Sequence, residues 1–213
     1  MSLNVVNEMP PEWYSIRMIT ALILAAGESR RMQQPKALLK IKNESFVECI
    51  ARKCRECGVE ATVLIIGGHR EEIAEKVGGK HDIKLLFNEH YKEGQVTSLK
   101  EGARNLPAGC THALIWPVDQ PLVKIETVRA LIGDANTQKK HLTIPVFNSR
   151  RGHPVIYDVT AINTLLSLGP DQTAKELQNV YADSTSLVEV KDEGVVLDID
   201  TPEDYSRYIS SAH

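Results

Sequence analysis

The order of apolar and polar positions sorts the chain into alternating strands and helices. Residues 19–24, ITALIL, are apolar almost without interruption, as suits a parallel strand covered on both faces. Residues 44–57 place Phe46, Val47, Ile50, Ala51 and Cys54 at helical spacing, and Gly58 stops them. ATVLIIGG (61–68) reads as a second buried strand, 70–77 as a short charged helix and IKLLFN (83–88) as a third strand. A helix over 95–106 turns Val96, Leu99 and Ala103 inward, and HALIWPVD (112–119) is a fourth strand ending on a carboxylate. Residues 124–133 are helical. LTIPVFN (142–148) and HPVIYD (153–158) read as paired strands around a basic loop, SRRG. Helices follow near 159–167 and 172–181. SLVEVK (186–191) and VVLDID (195–200) are expected to close the sheet, and 202–210 forms a last helix. Thr201-Pro-Glu-Asp204 gives that helix an N-cap, a first-turn proline and a carboxylate three residues on.

Strand–helix alternation from 19 to 133 implies βαβ units and a mostly parallel sheet, mixed in its second half by the hairpin-like pairing. The expected class is therefore α/β. The chain has 213 residues, enough to bury about 70% of the unfolded surface without a metal or disulfide. Residues 1–17 have neither the basic start nor the apolar core of a signal peptide. They are expected to be a tail, with Trp13 and Tyr14 docked, ahead of one domain over 18–213. No apolar run nears the ~20 residues that span a bilayer, so the cytoplasm is the expected compartment.

Charge narrows the partners. With 25 basic and 28 acidic side chains the net charge is −3, which argues against broad nucleic-acid or membrane binding. An anion site must then be local. Cys54 and Cys57 have the spacing of a redox or metal pair, but they end a helix instead of starting one, and no second pair follows. With Cys49 and Cys110 they are expected to be free thiols.

The candidate chemistry lies at strand exits, where open α/β sheets bind ligands. Ala25, Ala26 and Gly27 follow the first strand directly, and small residues let a backbone approach phosphate oxygens. Arg30, Arg31 and Lys36 then bring charge suited to phosphate. Neither G-x-x-x-x-G-K-[ST] nor G-x-G-x-x-G is present. Asp119 ends the fourth strand on the same rim and suits Mg²⁺, which takes one or two carboxylates beside phosphates and waters. Pro121 also permits a turn role for it. Asp198 and Asp200 form a second acidic pair, and Asp200 serves equally as a helix cap.

LAAGESRRMQQPK, GQVTSL, DQP, RGHP and DIDTPEDY occur in order over residues 21–205. As a set they resemble the molybdenum-cofactor nucleotidyltransferase family, most closely its molybdopterin cytidylyltransferase branch. The resemblance implies a Rossmann-like three-layer nucleotidyltransferase fold using a nucleoside triphosphate and Mg²⁺. It places Ala25, Ala26 and Gly27 around base and phosphates, and Arg31 and Lys36 on the triphosphate. Gly94, Thr97 and Ser98, with Asn88 upstream, fall on the nucleotide side, and Asp119 and Asp200 on the metal. Gln120 and Pro121 complete the D-Q-P motif among the substrate-binding positions, and Gly152, His153 and Pro154 match an acceptor-side loop.

LAAG with P-K, in place of LAGG with D-K, implies CTP. The partners implied are small molecules, a nucleoside triphosphate and a phosphorylated acceptor, with a molybdoenzyme as a candidate protein partner. Other phosphorylated acceptors stay open, among them a sugar 1-phosphate, a methylerythritol-type phosphate and a lactyl phosphate. So does a non-catalytic cofactor-binding assembly factor. Gln33 stands where the family has Gly, and its side chain is expected to crowd the nucleotide loop.

Overall fold

A computed structural model describes residues 18–79, 82–169 and 172–210. The expectations for residues 1–17, including docking of Trp13 and Tyr14, lie outside the described residues. In chain order come β1 (Ile19–Ala25), β2 (Lys40–Ile41), β3 (Glu44–Ser45), α1 (Phe46–Glu56), β4 (Ala61–Ile66), α2 (Arg70–Val77) and β5 (Ile83–Phe87). Then follow α3 (Gln95–Arg104), β6 (His112–Pro117), α4 (Ile125–Thr137), β7 (Leu142–Phe147), β8 (Arg150–Arg151), β9 (Val155–Asp158), α5 (Val159–Ser167), α6 (Ala174–Val180), β10 (Thr185–Glu189) and α7 (Pro202–Tyr205).

The main sheet runs β10-β7-β9-β6-β1-β4-β5, with β8 paired to β7. β1 pairs in parallel with both β4 and β6, and β4 with β5. β9 is antiparallel to β6 and to β7, which makes the sheet mixed as the hairpin-like pattern implied. Alternation along each strand sorts its side chains into two cores. Ile19, Ala21, Ile23, Leu64, Leu114 and Trp116 meet α1, α2 and α4 on one face. Leu22, Leu24, Val63, Ile65, Ala113 and Ile115 meet α3, α5 and α6 on the other. Both faces are covered, hence the near-continuous apolar runs.

Local signals set the element ends. Ser45 and Glu48 form a capping box that starts α1 two residues after 44, because Glu44 and Ser45 pair with Ile41 and Lys40 first. Thr201 and Asp204 form a second capping box, with Pro202 at the first turn of α7. Arg150 and Arg151 form a two-residue strand, β8, where a loop was expected.

One expected element is absent. Residues 195–200 are not a strand: Glu193–Val196 is a 3₁₀ turn and 197–200 runs without a sheet ladder. Val195 and Ile199 are buried while Asp198 is exposed. The alternation therefore spans a 3₁₀ turn and a ladder-free stretch that lie over a core, and neither needs a neighbouring strand. The hydrogen bonds go to loops instead. His153 N donates to Val195 O at 2.9 Å, and Ile199 N donates to Asp119 O at 2.8 Å.

Candidate active site

Parallel β1 and β6 run side by side, Leu24 opposite Pro117, so the residues that follow each strand emerge on one rim. A cleft of about 590 Å³ opens there, walled by Ala25, Ala26 and Gly27 after β1 and by Val118 and Asp119 after β6. A 3₁₀ turn, Lys36–Leu38, brings Lys36 back over the rim. Ser29 Oγ accepts from Lys36 N at 3.2 Å and ties that turn to the glycine loop.

Lys36 is the hub. Its Nζ donates to Asp119 Oδ2 at 3.0 Å and also to Asp200 Oδ1. Its side chain is 14% exposed, against 26% and 28% for the two carboxylates, so these pairs are partly shielded from water. Burial pulls the Lys36 pKa down, but the charges and hydrogen bonds of Asp119 and Asp200 outweigh it and hold it above the usual lysine value. Asp200 is pushed up by burial, yet Lys36 and Arg31 leave it below the usual carboxylate range. Arg31 Nη2 donates to Asp200 Oδ2 at 2.6 Å, from a side chain 68% exposed. That exposure makes it a weak pair in water.

On the far wall, Ser98 of α3 lines the cleft. Asn88, buried behind it, donates from Nδ2 to Ser98 Oγ and Thr97 Oγ1, both at 2.9 Å. Thr97 Oγ1 also meets Gly94 O at 2.8 Å, so Asn88 and Thr97 stand behind the wall and fix Ser98. Gly94 precedes α3 at φ 116°, a region that favours glycine.

The structure brings Arg31, Lys36, Asp119, Asp200, Ala25, Ala26, Gly27 and Ser98 to one cleft. Gln120 is buried and donates to Asp198 Oδ1 at 2.7 Å, away from the cleft wall. Pro121 borders a second hollow on the other side of its loop. Gly152 and His153 also lie off the wall and pack on Val195. Burial lowers the His153 pKa, which favours its neutral form. Gln33 takes φ 57° and is exposed. It does not line the cleft, so the expected crowding is absent: the left-handed turn sends its side chain to solvent.

Sequence reading missed Glu28, Ser29, Tyr91, Lys92 and Gln95, all lining the cleft. Glu28 accepts from Arg30 Nε at 2.6 Å and Tyr91 Oη at 3.4 Å, with Lys92 Nζ 4.0 Å away. The available signals were the serine inside LAAGES and the position of Tyr91-Lys92 just before Gly94. The four cysteines are free; burial raises the Cys54 and Cys57 thiols, so they are not reactive thiolates at neutral pH.

The MobA-like NTP transferase domain matches residues 21–187. This chain belongs to that family. Curated relatives match along 88% of the chain. The molybdenum cofactor cytidylyltransferase of Escherichia coli K12 is 26% identical over 188 residues, 88% of this chain and 93% of that protein. The purine catabolism protein PucB of Bacillus subtilis 168 is 25% identical over 196 residues, 88% of this chain and 94% of that one. The crystal structure of Rv0371c from Mycobacterium tuberculosis H37Rv shares the fold, with a TM-score of 0.77 at 22% identity, covering 91% of this chain and 98% of the other. The chain is thus an α/β nucleotidyltransferase, with the rim of β1 and β6 as its candidate active site. Among the described residues no helix is long and apolar enough to cross a membrane.

Proposed function

We propose that the chain transfers the CMP group of CTP to molybdopterin and releases pyrophosphate. One observation carries this reading: Arg31, Lys36, Asp119 and Asp200 converge beside the small-residue loop Ala25–Gly27 in a single cleft. LAAG and P-K at 24–27 and 35–36 favour CTP, as does the likeness to a cytidylyltransferase.

An acceptor phosphate oxygen attacks the α-phosphorus. The Pα–O bond to the β-phosphate breaks, and its electron pair leaves with pyrophosphate. A phosphate monoester, with its second pKa near 6, is already largely dianionic at neutral pH. No general base is needed. The chain's work is positioning and charge stabilisation. Backbone N–H groups of 25–27 would cradle phosphates, while Lys36 and Arg31 would hold the departing pyrophosphate. Ser98, braced by Asn88, would fix the nucleoside.

The donors fit a hard divalent ion. Asp119 and Asp200 already converge on one cation, the Lys36 ammonium, and Mg²⁺ takes one or two carboxylates. These two would hold Mg²⁺, which neutralises phosphate charge when bound. Gly152 and His153 would lie toward the acceptor.

The test is a matrix of CTP, GTP, ATP and UTP against molybdopterin, a sugar 1-phosphate and a methylerythritol-type phosphate, read as pyrophosphate with Mg²⁺ present. CTP with molybdopterin should exceed every other pair at least tenfold. Equal or faster turnover with GTP, or with a sugar phosphate, overturns the assignment.

A further inference from the structure

From 118 to 124 the segment that presents Asp119 is turn and coil; Val118 N donates to Leu24 O at 3.1 Å, and beyond it no strand ladder holds the segment. Its carbonyls must still find donors. Asp119 O accepts from Ile199 N at 2.8 Å and Gln120 O from Trp116 Nε1 at 3.0 Å. The next two engaged carbonyls share one donor: Lys53 Nζ lies 2.7 Å from Pro121 O and 2.7 Å from Val123 O. Cys49 Sγ reaches Pro121 O only at 3.9 Å.

Lys53 is unusual in that setting. It projects from the last turn of α1, where a surface lysine normally reaches water or a carboxylate. It is half-buried and borders the second hollow, of about 500 Å³, so solvent is within its reach. The ammonium nevertheless lies on two main-chain oxygens. Charge-assisted bonds of this kind are short and strong. Two of them, on the residues flanking Leu122, fix both position and direction of the loop.

We propose that Lys53 is a positioning residue for the transfer reaction: its ammonium holds the Pro121 and Val123 carbonyls and thereby aims Asp119 into the cleft. This rests on the reading of Asp119 as a metal-side carboxylate. Lys53 does not line the cleft, and it acts through the backbone. A displacement of order 1 Å at a reacting group costs about 100-fold in rate.

The test compares Lys53→Met, Lys53→Arg and Asp119→Ala with the unaltered chain, assayed with CTP, molybdopterin and Mg²⁺. Hydrogen exchange is followed in parallel. Lys53→Met should lower kcat about 10- to 100-fold while the KM for CTP stays within about twofold, the pattern of a lost transition-state interaction. Amides of 118–124 should exchange faster, with those of β1 and β6 unchanged. Lys53→Arg, which keeps charge and donors, should restore most of kcat. If Lys53→Met does not fold, Lys53→Gln takes its place with the same expectations. Unchanged kcat in the neutral variant, or a loss that Arg leaves unrepaired, overturns the proposal. Full activity in Asp119→Ala would instead remove the reading of Asp119 and leave the clamp as a structural bond.

Discussion

Lys36 stands between two demands, since the ammonium that would grip a departing pyrophosphate lies here on Asp119 and Asp200. Lys36→Ala should therefore lower pyrophosphate release by ~100-fold or more, the scale of losing one charge-stabilising donor; wild-type turnover in that variant would refute its role. Gln33 is the residue where sequence reasoning and structure part. Replacing the family's glycine costs freedom at φ > 0, yet the chain still adopts φ 57° and keeps the bond from Gln33 N to Ser29 O at 3.0 Å. The turn is thus imposed by the loop, with the strain of a non-glycine residue at about 1 kcal/mol. Gln33→Gly should raise stability by about 0.5–1 kcal/mol, or roughly 1–4 °C in melting temperature, leaving nucleotide KM within about twofold. A lower melting temperature would show that the glutamine conformation carries no strain.

At the scale of elements, residues 193–200 do the linking that a strand was expected to do. The 3₁₀ turn presents Val195 O to His153 N, while Gly194 packs directly on the backbone of Leu122 and Val123. Gly152 faces the same turn, and a Cβ there would run into Val195 O. Neither side has a flexible atom to yield. Gly152→Ala should destabilise the protein by about 1–3 kcal/mol, as overpacking does. Because the displaced segment leads to Asp200, turnover should fall as well, and a melting temperature within 1 °C of wild type would contradict this packing. The alternation in VVLDID was legible, but its backbone was not: Val195 and Val196 fold into a 3₁₀ turn, and a short period-2 pattern is silent on what lies beside it. Capping boxes, by contrast, are local in sequence, and the one at Thr201–Asp204 was readable in full.

Across the whole molecule, four cations and three carboxylates line one cleft in a chain of net charge −3. This local pairing sets a pH signature. Asp200 has a folded pKa below its ordinary 3.8. Its contribution to stability is present above about pH 4 and is lost as pH falls through the folded value. Lys36 has a folded pKa above 10.5, so its contribution is present below that pH and lost as pH rises through the folded value. Melting temperature against pH should show both shoulders. Asp200→Asn should flatten the acid one, and an unchanged acid limb in that variant would mean that the pair adds nothing to folding. Sequence alone determined what depends on neighbours along the chain: buried strands, amphipathic helices, caps, and the motifs from LAAG to DIDTPED that carry the resemblance. Tertiary structure decided what depends on distant segments meeting. Lys36 reaches residues 83 and 164 positions away, and Lys53 reaches two carbonyls 68 and 70 positions on. Such contacts have no local period or spacing, because the folded sheet alone sets which loops share a rim.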